Sequence, residues 1–573
     1  MSTDGVRSQL RRILASREFT ASPRISRFLQ FTVEEALAGR AAQLKETLVG
    51  VSVFDKPADY EARIDPIVRV EARRLRDKLR RYYESEGIGD PIRIEYPRGG
   101  YAPVFVPRGD QPKLREPAAD RTIVVLPFVN LSAEPDNEYF SDGLTQELIH
   151  ALTRVHGLRV IAWNTAAQLR GSVLPPQEIG RRLQVESVLQ GSVRRSVDRL
   201  RINVQLVETA TGYILWSETY DRRLSDLFAL QEQIARSIVK ALQIRLVEKK
   251  TPPHVNLEAY HFYLRGRYTW NRRTREGLLQ SIVFFERALE VDPGCALAWA
   301  GLADAHSILA DFGLKNPADG MVKAREAAQR AIALDETLAE AHTSLGFIRG
   351  VYDWCWEESE IHYRRAIALN PGYATAHHWY AADLLAPTGR FTEALEVMET
   401  GTMLNPLDPA MRESFAYIHM VAGDYDEAAS LLRRLQQEAP DYYKAYTALG
   451  RTYISTGNYP LAIEMLEKGR AIAGDVPNIL SALGQAHAMN EDFGTALHFL
   501  NLLESIARSQ YVSSTCYALV YIGLGEFGKA LEWLERGSEN RDLPITNLKV
   551  HPGYAPLRPE PRFQALLKKI RLV

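Results

Sequence analysis

From Phe391 onward the chain repeats itself every 34 residues, and a chain that does so folds as a stack of like units. Phe391, Tyr425, Tyr459, Phe493 and Phe527 keep that step, and so do Ala394, Ala428, Ala462, Ala496 and Ala530. Twelve positions before each alanine stands a small residue: Ala382, Ala416, Gly450, Gly484 or Ala518. Such a residue lets two helix backbones approach, and a larger side chain there overpacks the contact at about 1–3 kcal/mol. Gly389, Gly423, Gly457 and Gly525 fall where a first helix must turn into a second, a place for positive φ. Pro371, Pro406 and Pro440 close one unit and open the next helix. The repeated alanines, glycines and aromatics read as packing residues.

This pattern resembles the tetratricopeptide repeat family, a helix–turn–helix unit of the same period. Ala288…Pro293 and Ala366…Pro371 carry it towards the N-terminus, and Ala331…Glu336 keeps the spacing without the proline. An insertion is expected around Phe312–Gly320. About eight repeats are expected over residues 257–541, with residues 542–573 capping the last helix. The resemblance implies an elongated α-solenoid whose concave face binds a protein or peptide partner. The ordered Lys/Asn set of the carboxylate-clamp subtype is not seen.

Upstream the texture changes to a mixed α/β domain. Thr122–Phe128 is a continuous apolar run of strand length, typical of a strand buried on both faces. Helices are predicted at Tyr139–Val155, Gln177–Leu183 and Leu224–Leu246. Strands are predicted at Leu158–Ala162, Ser187–Arg194, through the alternating Leu200, Ile202, Val204 and Leu206, and at Tyr213–Thr219. This domain is placed at residues 121–247, between Pro- and charge-rich linkers at 107–120 and 248–256 that make the units separable. At Ile123–Phe128, Tyr139–Leu144 and Gly191–Arg194 it resembles the TolB amino-terminal-like (FlgO-like) domain. That resemblance implies a non-catalytic module that often precedes tetratricopeptide repeats. Some relatives carry a class III nucleotide cyclase domain in front, but no stretch here combines metal-binding aspartates with a cyclase-like strand frame.

Residues 1–106 hold 19 Lys/Arg against 15 Asp/Glu, and the excess is concentrated. Pro66–Tyr83 carries seven basic residues beside Glu71 and Asp77. At helical spacing Val68, Ala72, Leu75, Leu79 and Tyr82 make one apolar stripe, while Arg69, Arg73, Arg76 and Arg80 share the adjoining face. A strand at Pro91–Tyr96, a turn at Pro97–Gly100 and a strand at Tyr101–Val106 follow. Basic helix, loop and glycine-turned hairpin resemble the OmpR/PhoB-type winged helix over about residues 50–106. By that resemblance Arg69, Arg73, Arg76 and Arg80 face duplex DNA and Arg98 sits at the wing tip, and arginine suits both guanine and phosphate. Upstream, helices are expected at Val6–Ala15 and after Ser22-Pro23 instead of the family's leading sheet. The layout is similar to the HilA/CadC-like group, which joins a winged helix to a repeat-rich sensor. The competing reading is a solvated face whose arginines pair with Glu61, Glu71 or Asp77.

The rest of the sequence narrows the function classes. Net charge is −1, so nucleic-acid binding must rest on local charge. Apolar runs such as Ile123–Val129 are far shorter than the ~20 residues of a spanning helix, so no membrane insertion is expected. Cys295, Cys355 and Cys516 are isolated, which fits a reducing cytoplasm. There is no G-x-x-x-x-G-K-[ST], no G-x-G-x-x-G after a strand and no H-E-x-x-H or C-x-x-C. Ser141 or Asp142 reads as a helix cap, and His377-His378 points two ways on one helix. The expectation is a multidomain α+β chain with no catalytic residue, no metal, no cofactor and no enzymatic activity. It is read as a cytoplasmic transcriptional regulator binding duplex DNA and a protein partner. The alternative is a scaffold acting only through protein–protein interaction.

Overall fold

Apolar residues recurring at steps of three and four wind the N-terminal body, Met1–Pro117, into helices around one core. The computed structural model describes residues 3–20, 22–54, 56–57, 67–84, 86–87, 90, 92–96, 101–107, 121–132, 137–155, 157–196, 199–223, 227–242 and 256–573. In this body α1 (Thr3–Ala15), α2 (Arg17–Thr20), α3 (Pro23–Leu37), α4 (Glu46–Phe54) and α5 (Ile67–Glu84) precede two strands. These are β1 (Ile92–Glu95) and β2 (Val104–Pro107), paired antiparallel with Ile92 opposite Pro107 and Glu95 opposite Val104. The second strand starts later than the expected Tyr101. Ser22 precedes α3, but its side chain makes no capping bond. Its carbonyl accepts from Ser26 at 3.0 Å instead, while Pro23 occupies a first-turn position that needs no N–H.

The second body, Ala118–Val573, opens with a sheet. Its elements are β3 (Arg121–Val125), β4 (Val129–Asn130), α6 (Glu138–Thr153), β5 (Leu158–Val160), α7 (Trp163–Ala167) and α8 (Pro176–Leu183). Then come β6 (Ser187–Ser196), β7 (Arg199–Glu208), β8 (Ile214–Arg223) and α9 (Leu227–Ala241). Strand order is β5-β3-β6-β7-β8, with β4 also on β6. Because β3 lies between two parallel neighbours, Ile123, Val124 and Val125 are all fully buried. Ser141 and Asp142 do not cap α6. Both lie inside it and are buried, and Asp142 pairs with Arg170. Burial raises the Asp142 carboxyl to about 6 although Arg170 pulls the other way.

The repeats follow as helix pairs from α10 (Leu257–Trp270) and α11 (Arg275–Val291) to Ser514–Gly523 and Phe527–Glu539. The five repeated alanines are fully buried. Gly389, Gly423, Gly457 and Gly525 all take positive φ, and Glu491 does the same at 62° where its copy lacks the glycine. Gly450 and Gly484 lie against Leu466 and Val520, where an added Cβ would stand 2.6 and 2.9 Å away. Two expectations are corrected. The repeated aromatics pack only in part: Phe391 and Tyr425 lie half-buried against the core, whereas Phe493 is 51% exposed and Phe527 38%. Ala382 does not sit in the helix seam either. A π-helical turn at Tyr380–Leu385 rotates the chain, so Ala381 is buried and Ala382 lines an internal hollow.

The expected separability of the middle domain and the repeats does not hold. They share one compact body, because the loop end of the sheet domain packs on the turns between repeats. The Ala162 amide donates to the Leu404 carbonyl at 2.8 Å, and the Thr165 hydroxyl donates to Asn405 at 2.9 Å. Asn164 donates to Asp408 at 2.8 Å, and His150 meets Glu340 at 3.0 Å. The tail packs on the last repeat through the helix Pro561–Lys569, and it also turns back across the stack. Trp356 donates to the Ile570 carbonyl at 2.9 Å, and Tyr417 to Asn547 at 2.8 Å.

Candidate functional site

Helix α5 carries the basic cluster. Its apolar stripe is spent on the core: Val68, Ala72, Leu75, Leu79 and Tyr82 are all at most 4% exposed. That fixes the helix's rotation and leaves Arg69 and Arg74 on its exposed side. The following turn is pinned by polar contacts to buried Asp90, which accepts from the Tyr82 hydroxyl at 2.5 Å and pairs with Arg12 at 3.1 Å. The Tyr83 hydroxyl accepts from the Ile94 amide at 2.8 Å, joining α5 to β1, and burial pushes that phenol up to about 12. Helix and strand pair are thus held as one piece.

The five arginines singled out by sequence fare differently. Arg69 is on the exposed side of α5 and pairs with Glu46 at 2.9 Å, which holds its guanidinium above the usual value. Arg76 is half-buried and donates from Nε to the Tyr96 carbonyl at 3.2 Å, so it serves the junction between α5 and β1. Arg73 and Arg80 belong to the helix, but their side chains lie outside the described residues, and Arg98 lies wholly outside them. Of the acidic partners weighed, Glu71 does pair, with Arg74 at 2.7 Å. Lys78 donates to the Glu18 carbonyl at 2.5 Å.

A second feature lies in the other body. First helices of successive repeats surround a cavity of about 830 Å³, walled by Asp311, Asp383, Glu413, Trp379 and Phe347 among others. Sequence reasoning missed it, since its acidic residues come from separate repeats and share no local motif. Their one signal is that each departs from the apolar pattern of a first helix. His377 and His378 go separate ways, to the Pro371 carbonyl and to Ser414, each at 2.9 Å. No helix among the described residues is long and apolar enough to cross a membrane.

Comparison with known proteins places two of the regions. Residues 119–237 match the second domain of HilA/YgeH-like transcriptional regulators, the stretch on which the TolB-like resemblance was expected. Residues 381–443 and 420–486 match tetratricopeptide repeats. The chain is 37% identical over 235 residues to "Putative adenylate cyclase 3" of Rhizobium meliloti (strain 1021), covering 40% of each. It is 22% identical over 368 residues to "Transcriptional regulator HilA" of Salmonella typhimurium (strain LT2), covering 63% of each. Among solved structures, YrrB, "a TPR protein with an unusual peptide-binding site", aligns at 22% identity and a TM-score of 0.25 over 35% of this chain and 96% of that one. The chain therefore spans 40% and 63% of the length of these two curated relatives. A C-terminal run of tetratricopeptide repeats and a HilA-like regulator domain are present, and such repeats point to protein or peptide partners.

One expectation is corrected here. The reading of the chain as not an enzyme does not stand, because a relative 37% identical over 235 residues bears an enzyme's name. That reading rested on missing phosphate-binding motifs, and a missing motif excludes only the chemistry it encodes.

Proposed function

We propose that this chain is a cytoplasmic transcriptional regulator that binds duplex DNA through its N-terminal body and a protein or peptide through its repeats. The N-terminal body acts as an OmpR/PhoB-type winged helix, with α5 as the groove-entering helix and the β1–β2 pair as the wing. Arg69, Arg73, Arg76, Arg80 and, at the wing tip, Arg98 are the DNA-facing residues. The middle domain, of TolB amino-terminal-like (FlgO-like) type, relays between this body and a solenoid of about eight repeats.

The observation that carries the reading is the order of parts in the N-terminal body. A helix rich in arginine buries one stripe, turns, and runs into an antiparallel strand pair braced against it. The HilA/YgeH-like match next to it supports the same reading. Arg69 and Arg76 already hold protein partners, so each would swap or share that bond on meeting a phosphate. A phosphate is an equivalent bidentate acceptor for such a guanidinium.

The test is fluorescence anisotropy of the full chain on duplexes from its own upstream region and on scrambled duplexes, titrated with salt. Four phosphate contacts give log K a slope of about −3.6 against log salt. The charge-reversing variant is Arg73→Glu/Arg80→Glu, because reversing Arg76 would also break its bond to Tyr96. A flatter slope and weaker binding in that variant are expected. Salt-insensitive binding, or a variant that binds as the parent does, rejects this reading.

A further inference from the structure

The cavity ringed by the first helices is closed on two further sides. Trp163 and Asn164 of α7 wall it from the sheet domain, and Leu543 and Pro544 wall it from the returning tail. At about 830 Å³ it has the size of a small-molecule chamber. Asp311, Asp383 and Glu413 face it, and none makes a hydrogen bond or ion pair with any described residue. Burial raises all three carboxyls above their ordinary range, and Asp311 adds to the rise at Asp383.

Two cations share the wall: both draw the Asp311 carboxyl back towards its charged form, Lys444 does the same at Glu413, and each also lies over an aromatic ring. Lys444 sits over Phe312 at 4.4 Å, and Arg273 lies over Trp270 at 3.5 Å. The Tyr442 hydroxyl is buried in the same wall with no hydrogen-bond partner. Asp383 stands in the π-helical turn Tyr380–Leu385, the irregularity that turns it and Ala382 towards the hollow. Insertions of that kind recur at functional sites.

We propose that this cavity binds a small organic ammonium ion, with its charge among Asp311, Asp383 and Glu413 and its carbon skeleton against Trp379 and Phe347. A cation would pair with three carboxylates that line the cavity without a hydrogen bond or ion pair among the described residues, and aromatic faces attract it further. An anion would meet the same carboxylates as repulsion. A bare metal ion is disfavoured because no group of three such ligands converges on one point among the described residues. The volume and the aromatic walls call for carbon as well as charge.

The experiment is isothermal titration of the full chain with 1,4-diaminobutane, tetramethylammonium and, as the anionic control, succinate, at constant ionic strength. Saturable single-site binding of at least one ammonium ion and none of succinate is expected. Asp383→Asn should weaken that binding at least tenfold while the melting temperature stays level or rises, since it removes a half-buried carboxyl that makes no hydrogen bond or ion pair among the described residues. Ala382→Phe, which fills the hollow without touching charge, should weaken it as well. Saturable binding of succinate alone, absence of any saturable binding, or unchanged affinity in Asp383→Asn overturns the proposal. DNA affinity is read separately, so failure here leaves the DNA-binding proposal standing.

Discussion

Arg267 donates to Asp304 at 2.9 Å across the first helices of two neighbouring repeats, and Asp304 is only 2% exposed. The same carboxylate accepts from Ser344 at 2.6 Å, so one buried acid ties three consecutive repeats together. Burial pushes the Asp304 carboxyl up, and Arg267 and Ser344 pull it back towards the charged form.

Asp304→Ala therefore leaves a guanidinium buried without its counter-ion. The expected loss is about 3–5 kcal/mol, read from urea unfolding of the full chain. Arg267→Leu/Asp304→Leu should recover much of it, and equal losses in the single and double variants would exclude pairing as the cause.

Thr165 and Asn405 are 240 residues apart in the chain and meet at 2.9 Å where the sheet domain rests on the repeats. The Thr165 hydroxyl also accepts from the Leu407 amide at 3.0 Å, so Thr165→Val strips two bonds from one buried contact. A cost of about 1–3 kcal/mol is expected. Amide exchange should quicken at residues 162–168 and 404–408 in the variant, with the outer repeats unchanged. Exchange unchanged at both segments would mean that this contact does not hold the domain in place.

Lowered pH should weaken the C-terminal body. Burial depresses His306 and His362 to about 4 and His551 to about 3, against about 6.5 in an unfolded chain. The folded state therefore keeps these rings neutral where the unfolded chain takes up protons. Their contribution is complete above about pH 6.5 and drains away as pH falls towards 4. Urea midpoints at pH 7.5, 6 and 5 should decline, and His551→Gln should make the decline shallower. A midpoint that is level over this range would contradict the assignment.

Glu491 holds positive φ, at 62°, in the turn where other repeats use glycine. Glu491→Gly relieves a left-handed backbone and should raise stability by about 0.5–1 kcal/mol. Gly525→Ala places a Cβ on a backbone at φ 75° and should lower it by a similar amount. The pair is compared by thermal melting, and the same sign for both would rule out backbone strain as the cause.

Much of this architecture was legible in the residues because it is local. The 34-residue period placed the buried alanines and the left-handed glycines, since each depends on neighbours within one helix pair. Alternation along Leu200–Leu206 and the apolar run at Ile123–Val125 placed strands, because period and burial on a sheet are coupled residue by residue. On α5, the stripe from Val68 to Tyr82 told which face is inside.

What the tertiary structure alone decided depends on residues far apart in the chain. Arg76 shares its spacing with Arg69, yet one is drawn to the Tyr96 carbonyl and the other to Glu46, because the fold brings different acceptors alongside each. Ala382 fits the small-residue pattern, but the π-helical turn shifts its phase by what packs around it. Asp311, Asp383 and Glu413 come to line one hollow only when the repeats curl round it. A sequence period sets which way a side chain points from its own helix, whereas the partner it meets is set by how the helices close on one another.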